Sequence, residues 1–217
     1  MKLISVNVGL PIKVNFGREV VTTGIFKNPI QHRVKLNKLN LEGDKQADLT
    51  VHGGIDKAVY AYPSEHYRFW KEEIRDFKYS WGTFGENLTT EGLFEDKVRI
   101  GDHFKIGSAK VMATQPRMPC YKLGVRFGRM DVIKKFLESG KSGIYFKVIK
   151  EGEIGINDTI KLIKKDHNNV TIKNIVDMVT KEEKENTTLM EKAIQVPGLP
   201  TGWKNYFLEK SSNLKKK

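Results

Sequence analysis

A single cysteine is the most reactive side chain that this sequence offers. Cys120 lies in the segment QPRMPCYKL, with the cations Arg117 and Lys122 close by and prolines at positions 116 and 119. The thiolate is the form of cysteine that acts as a nucleophile or as a ligand for a soft metal, and neighbouring cations stabilise it. Because proline restricts the backbone, we expect a stiff, extended segment around the sulfur. Many lone cysteines are buried and inert, so local features alone leave both interpretations open.

A second segment carries a histidine followed by two glycines. It spans residues 43–63 as GDKQADLTVHGGIDKAVYAYP and contains His52, Gly53, Gly54 and Lys57. A tight glycine loop exposes backbone N–H groups that bind anions, and a nearby lysine adds positive charge. A plain glycine turn between two strands is the alternative.

A third segment is the loop GTFGENLTTEG at residues 82–92. Gly82 and Gly85 permit backbone angles that other residues rarely adopt. Such a loop can present the polar side chains of Glu86 and Asn87 to a ligand. A turn closed by capping residues is the simpler alternative.

The sequence lacks the common metal and nucleotide motifs. Asp44, Asp48 and Asp56 do not have the spacing of a calcium loop, so we expect solvated or turn-capping acids at these positions. No histidine pair has zinc-ligand spacing on a helix, and no cysteine pair exists. A P-loop, a Rossmann fingerprint and a serine-hydrolase elbow are also missing from the sequence.

The elements that must position these residues are mostly short strands. Residues 1–165 contain many β-branched runs punctuated by glycine, which predicts a barrel or a sandwich. Two helices interrupt them, one starting at a Ser64 cap and running to Ile74, the other over Asp131–Ser139. Three short amphipathic patterns then predict a helical module at residues 167–210, followed by a basic tail at residues 211–217.

Composition and charge limit the possible partners. The 217 residues carry a formal charge of +12 and 39% hydrophobic residues, with no apolar run near the roughly 20 residues that cross a bilayer. The lysines are spread along the chain, so nucleic acid is an unlikely partner, whereas phosphates, small anions and acidic proteins fit the charge. One cysteine cannot form an internal disulfide, which favours a reducing cytoplasm.

Taken together, the segments resemble the MOSC family, named for the C-terminal domain of molybdenum cofactor sulfurases. The resemblance rests on the segments quoted above together with VRIGDHFKIG, which follow one another in the family's order within residues 1–165. The C-terminal helices resemble the module of one bacterial stand-alone branch. The resemblance implies a mainly β fold with added α structure, a MOSC-type β-barrel followed by that helical module.

The resemblance also implies a cofactor and a reaction. The cofactor is the pterin-based molybdenum cofactor, and Cys120 is the sulfur ligand to the metal. The implied anion holders are the loop of His52, Gly53 and Gly54, together with Lys57 and Arg117. Gly85, Glu86 and Asn87 belong to the implied cofactor-contacting loop. The reaction is the reduction of N-hydroxylated compounds, such as hydroxylamino-purines, to amines, with His52 as a candidate proton donor.

Several partners and two rival functions stay open at this stage. No flavin or nicotinamide motif is visible, so electrons should come from a separate flavin-type reductase, and a homodimer is compatible with the sequence. One rival is a sulfur carrier that holds a persulfide on Cys120 for the sulfuration of a metallocofactor. The other is a nucleic-acid-binding module built from the C-terminal helices and the basic tail.

Overall fold

A computed structural model describes residues 1–48, 53–181 and 187–214 of the chain. The strands are β1 (Lys2–Val8), β2 (Ile12–Phe16), β3 (Glu19–Thr23), β4 (Asn28–Ile30), β5 (Val34–Leu36), β6 (Val59–Pro63), β7 (Leu88–Glu91), β8 (His103–Ile106), β9 (Ala109–Pro116), β10 (Ile144–Lys150), β11 (Gly152–Ile154) and β12 (Ile160–Lys164). The α-helices are α1 (His66–Glu73), α2 (Tyr121–Phe127), α3 (Asp131–Ser139), α4 (Ile172–Thr180), α5 (Thr187–Gln195) and α6 (Thr201–Leu214). A short 3-10 helix covers Ile55–Lys57.

Eight of these strands form one mixed sheet. Their order is β12-β8-β9-β10-β6-β7-β1-β4, in which β6 and β7 are parallel and the other paired strands are antiparallel. The remaining strands form two separate antiparallel pairs, β2 with β3 and β5 with β11. Because the described helices cover nearly as many residues as the strands, the fold is mixed α and β, with more helix than the sequence predicts.

One end strand of the large sheet, β12, approaches β1, the strand next to the other end. The amide of Ile160, the first residue of β12, donates to the carbonyl of Met1, and the Leu3 amide donates to the Asp158 carbonyl, both over 2.9 Å. These bonds join the first half of β1 to the residues that lead into β12. The paired strands described here nevertheless have two ends, so the closed barrel remains a prediction.

Two hydrophobic clusters hold the elements together. The larger cluster joins the sheet to the C-terminal helices and includes Leu88, Phe146, Ile175, Met190 and Phe207. The smaller, aromatic cluster lies between β6 and α1–α3 and includes Tyr60, Tyr62, Trp70, Phe84 and Phe136. Because α4–α6 share a core with the sheet, burial of apolar area joins the helical module firmly to the strands.

Both helices predicted among the strands are present, and α2 is an additional one. Helix α1 buries Tyr67 and Trp70 as expected. The predicted Ser64 cap is wrong, because Glu65 is the N-cap residue and the Ser64 hydroxyl donates to the Glu65 side chain instead. The extended segment predicted around Cys120 ends at that residue (φ −123°, ψ 175°), and α2 begins directly after it.

The three predicted C-terminal helices are present, and the last one is longer than expected. Helix α6 continues to Leu214, so residues 211–214 of the predicted basic tail are helical. The hydroxyls of Ser211 and Ser212 both donate to the Leu208 carbonyl, which keeps these serines compatible with the last turns of the helix. Within the residues described, no helix is both long enough and apolar enough to cross a bilayer.

Candidate active site

A cleft that is partly open to solvent brings together residues that are far apart in the sequence. Its walls come from the segment after β3, the loop before residue 48, the start of β6, the turn before β7, and the segment that joins β9 to α2. The lining residues are Thr23, Gly24, Ile25, Lys27, Asp44, Gln46, Ala47, Lys57, Tyr60, Gly85, Asn87, Arg117, Met118, Cys120, Lys122 and Tyr145. The cleft therefore contains the single thiol and four cationic side chains.

Cys120 occupies the junction between strand β9 and helix α2. A bulge opposite Tyr145 and Phe146 leaves Thr114 unpaired near the end of β9, and the Thr114 hydroxyl lies 2.7 Å from the Asp56 carbonyl, within hydrogen-bonding distance. The strand then leads into the cleft. The Cys120 carbonyl accepts a 2.9 Å hydrogen bond from the Leu123 amide, which starts α2. The thiol is half-buried beside the cleft, a position accessible to a ligand.

Arg117 supplies a buried positive charge three residues before the cysteine. It is 7% exposed, and its guanidinium carbon lies 5.3 Å from the Tyr60 ring centroid and 5.4 Å from that of Phe136. Its buried Nη1 has no hydrogen-bond partner among the described residues. Leaving a charged donor buried and unpaired is costly, so this atom is well placed to bind an anion in the cleft.

Lysines add to the positive charge of the cleft. Lys57 follows the turn at Gly54, where φ is 97°, and it ends the 3-10 helix. Burial lowers the pKa of Lys57, although the neighbouring Asp56 opposes this shift. Lys122 lies in the first turn of α2 on the same wall as Arg117. Lys57, Arg117 and Lys122 therefore line one cleft with the cysteine, and anion binding by Lys57 and Arg117 remains a prediction.

Asp44 is not a solvated acid, contrary to the prediction. It is 6% exposed and forms an ion pair with the buried Lys27. Its carboxylate also accepts hydrogen bonds of 2.9 Å from the Gly9 amide and from Asn87 Nδ2. Asn87 in turn accepts a 3.2 Å hydrogen bond from the Tyr60 amide through its Oδ1. This network connects the two sides of the cleft.

Gly85 and Glu86 shape the site in different ways. Gly85 lines the cleft with φ 77°, and a Cβ on it would lie 2.9 Å from Ile25 Cγ1, so glycine is required there. Glu86 is fully buried and does not line the cleft. It accepts hydrogen bonds from the Tyr67 hydroxyl, the Thr89 hydroxyl and the amides of Gly82 and Phe84. Its position indicates that it supports the turn; contact with a cofactor remains a prediction.

Glu86→Gln should lower the free energy of unfolding by about 1–3 kcal/mol, because the new NH2 group faces N–H or O–H donors. Four donors surround the Glu86 carboxylate, which accepts from all of them. Burial raises the pKa of Glu86, while the hydrogen bonds from Tyr67 and Gly82 oppose that shift. Urea denaturation measures the change. Glu72→Gln, at an exposed position of α1, is the control and should stay within about 0.5 kcal/mol of the parent. Equal stability of both variants would contradict this role.

The remaining predicted residues stand apart from the cleft. His52 lies outside the described residues, so its predicted roles stay predictions. Gly53 and Gly54 are described but are not part of the cleft lining, and the Gly54 carbonyl accepts a 3.0 Å hydrogen bond from the Lys57 amide. The two glycines thus help to place Lys57, and anion binding by their own amides is untested.

The C-terminal module reaches the strand that carries the site. Trp203 of α6 donates its indole N–H to the side-chain oxygen of Gln115 over 2.9 Å. Gln115 is buried two residues before Arg117, and its side-chain nitrogen donates to the Asp56 carbonyl over 3.4 Å. Helix α6 therefore contacts a side chain of the segment that carries Arg117, and that side chain also reaches the carbonyl next to Lys57.

Many of the residues that line the cleft lie in a segment that matches a known protein family. The family model described as "MOSC domain" matches residues 48–161 of the chain, about half of its length. The chain belongs to the MOSC family. The matched part of this MOSC protein contains Lys57, Gly85, Asn87, Arg117 and Cys120, whereas the wall formed by residues 23–27 and 44–47 precedes it.

Similarity to a relative and to a solved structure covers nearly the whole length of the MOSC protein. YflK of Bacillus subtilis is 37% identical over 212 residues, which are 98% of this chain and 95% of that protein. The crystal structure of YiiM from Geobacillus stearothermophilus superposes with a TM-score of 0.81 at 34% identity, over 97% of this chain and 98% of that one. The likeness therefore includes the C-terminal helices as well as the matched domain.

A fungal relative carries a functional name. The protein named "Reductase" from Gibberella moniliformis is 31% identical over 198 residues. The match covers 90% of this chain but only 35% of that relative. The MOSC protein thus corresponds to about a third of the fungal protein. The match does not assign the activity of the whole fungal protein to the MOSC protein.

Proposed function

We propose that this MOSC protein binds the molybdenum cofactor in its cleft and reduces N-hydroxylated compounds to amines. The observation that carries the proposal is the pairing of a ligand-accessible thiol, Cys120, with the buried and unpaired Nη1 of Arg117 in one cleft. The reductase name of the fungal relative supports the same class of reaction.

The donor set of the cleft fits the chemistry of that cofactor. Cys120 offers a thiolate, and a thiolate is compatible with a metal that is already held by soft dithiolene sulfurs. Arg117, Lys57 and Lys122 offer positive charge for the phosphate of the cofactor, and the guanidinium can bind it with two parallel hydrogen bonds. The chemistry supplied there would be a two-electron reduction that converts an N–OH group into an amine and water.

The residues around the cations hold the wall of the cleft in place. Tyr60 is buried against the Arg117 guanidinium, and its hydroxyl donates to the Ser142 carbonyl over 2.8 Å, so this wall is held rigidly. Asn87 is held by its hydrogen bonds to Asp44 and Tyr60. A rigid, partly apolar wall keeps the cations in position and strengthens their interaction with an anion.

An assay with an artificial electron donor tests the reaction. Protein purified from a host with an intact cofactor pathway is mixed with a hydroxylamino-purine and a reduced viologen dye. The aminopurine should form only in the presence of the protein, and chromatography measures it. Absence of product from cofactor-loaded protein would refute the proposed reaction.

A separate flavin-type reductase is the proposed electron donor in the cell. With a net charge of +12, this protein should attract an acidic flavoprotein. We expect turnover with such a donor to fall as ionic strength rises from about 0.01 M to about 0.15 M, because the screening length shortens from about 30 Å to about 8 Å. Turnover with an uncharged artificial donor is the control and should change little. A rate with the acidic flavoprotein that is insensitive to salt would argue against an electrostatic encounter.

A further inference from the structure

An ion pair in the wall of the cleft has no role in the function proposed above. Lys27 follows β3 and Asp44 lies in the loop before residue 48, and both residues line the cleft while being only 7% and 6% exposed. They precede the segment that the family model matches. A buried pair of opposite charges beside a ligand cavity is expensive to maintain, which points to a use for it.

The carboxylate of this pair is held in place from three directions. Asp44 Oδ1 accepts hydrogen bonds from the Gly9 amide and from Lys27 Nζ, and Oδ2 accepts one from Asn87 Nδ2. These donors belong to three separate segments of the chain. Asp44 is therefore fixed as an ionised acceptor, and it fixes the position of the lysine.

Lys27 has donor capacity left over for a ligand. An ammonium group carries three N–H bonds, and Asp44 is the one acceptor that the described residues provide for them. Since the side chain lines the cleft, a hydroxyl group bound there can accept a hydrogen bond from the same nitrogen.

The proposed reduction consumes protons as well as electrons. Cleavage of the N–O bond takes up two electrons, which the partner reductase supplies, and two protons, and it yields the amine and water. The leaving hydroxyl must be protonated to depart as water. Among the described lining residues, Arg117 cannot release a proton near neutral pH, and burial raises the pKa of both Tyr60 and Tyr145.

We propose that Lys27, held in place by Asp44, donates the proton that converts the leaving hydroxyl into water. This inference rests on the reductase function proposed above, and it adds a catalytic residue to it. The proton moves from Lys27 Nζ to the hydroxyl oxygen as the N–O bond breaks, and water leaves. Solvent supplies the second proton, which the amine nitrogen takes up, and protonates the lysine again before the next turnover.

The electrostatic surroundings favour this role. Burial lowers the pKa of Lys27, while Asp44 and Glu86 oppose the shift. The ammonium is therefore a stronger acid than an exposed lysine, and the donating form is lost as pH rises through the lowered pKa. The other titratable groups that line the cleft are Lys57, Tyr60, Arg117, Cys120, Lys122 and Tyr145.

Lys27→Arg separates proton donation from positive charge, because arginine keeps the charge but stays protonated. We expect kcat for the hydroxylamino-purine to fall by about 100-fold or more, the range that a lost general acid produces. Molybdenum and pterin contents should stay within twofold of the parent protein. Lys13→Arg, on the exposed face of β2, should retain the parent kcat.

A double variant distinguishes the loss of the proton donor from misfolding. Lys27→Met alone leaves the Asp44 carboxylate buried without its partner, whereas Lys27→Met with Asp44→Asn removes both charges. The double variant should fold, should contain cofactor and should show the same loss of kcat as Lys27→Arg. A wild-type kcat in Lys27→Arg, or in the double variant, would overturn the assignment to Lys27.

A measurement that needs no turnover tests the same residue. Competitive acetylation of the purified protein, read by mass spectrometry across pH, reports when each lysine loses its proton. The midpoint for Lys27 should lie below that for Lys13, and Asp44→Asn should lower it further because the stabilising anion is gone. Equal midpoints would overturn the inference. Failure of the parent protein to reduce any hydroxylamino-purine would instead refute the proposed function, independently of this titration.

Discussion

Cys120→Ser should reduce kcat/KM for hydroxylamino-purines by more than the roughly 100-fold that loss of an outer-shell partner costs a metal site. The reason is that serine offers an oxygen of high pKa where a soft metal requires a thiolate. Pterin content should fall much less, since Arg117, Lys57 and Lys122 remain to hold the phosphate. Initial rates with a reduced viologen dye and a fluorescence assay for the oxidised pterin give the two quantities.

Thiol labelling supplies the control for this variant. Cys120 is the single cysteine of the chain, so a thiol reagent reports on that position alone. The reagent should label the cofactor-free protein and should label the cofactor-loaded protein more slowly, because the sulfur is then engaged. A serine variant that turns over at the parent rate, or a thiol that reacts equally fast in both forms, would show that the sulfur is not a ligand.

Arg117→Met should lower the cofactor content of the purified protein by about tenfold or more. Loss of a charged hydrogen bond to a buried phosphate costs about 1.5–3 kcal/mol, and each 1.4 kcal/mol is a factor of ten in affinity. The guanidinium of Arg117 has a buried nitrogen without a partner among the described residues, so it is available for such a bond. Pterin and molybdenum contents per chain measure the effect.

Arg126→Met is the matched control for this substitution. Arg126 also has a buried nitrogen without a described partner, and its guanidinium carbon lies 4.9 Å from the Phe26 ring centroid and 5.5 Å from that of Phe77. It is absent from the cleft lining. Both variants lose a cation–π contact, but only Arg117→Met should lose cofactor. Equal cofactor contents in the two variants would contradict the assignment of Arg117.

Local motifs predicted one side of the cleft and could not predict the other. Arg117 and Cys120 share a segment of a few residues, and Gly85 and Asn87 share another, so spacing alone brings each pair together. Lys27 lies in an ordinary segment, and Asp44 was expected to be a solvated or turn-capping acid of the 43–63 segment. They meet only because the strands on either side of them fold against the rest of the sheet. A lysine or an aspartate that becomes buried by distant contacts carries no local signal.

The structure places some of the identified residues in surroundings that differ from the expected ones. Glu86 was expected to present its carboxylate from a loop, but four donors of the same turn and its neighbours enclose it. Helix α2 escaped prediction because it is only seven residues long and contains Gly124, which disfavours a helix. Gly124 packs closely against the turn after the helix, where an added Cβ would lie 3.3 Å from the Arg129 carbonyl oxygen and would displace the Met130 side chain.

The amphipathic helices α1 and α3 were predicted more reliably than the turns. Tyr67 and Trp70 are buried on α1 as their helical spacing predicts, and Phe136 is buried on α3. Gly140 ends α3 with φ 65°, as a glycine placed just after an amphipathic pattern predicts. Periodicity reflects which face is buried and is therefore visible in the sequence, whereas a cap such as Ser64 depends on one side-chain rotamer.

Metal and pterin analysis of the protein, purified from a molybdenum-replete host with an intact cofactor pathway, tests the central claim most directly. We predict near-stoichiometric molybdenum and pterin in the parent protein, with both lost in Arg117→Met and both retained in Arg126→Met. Protein that carries sulfane sulfur on Cys120 but neither molybdenum nor pterin would contradict the proposed function and would favour the sulfur carrier.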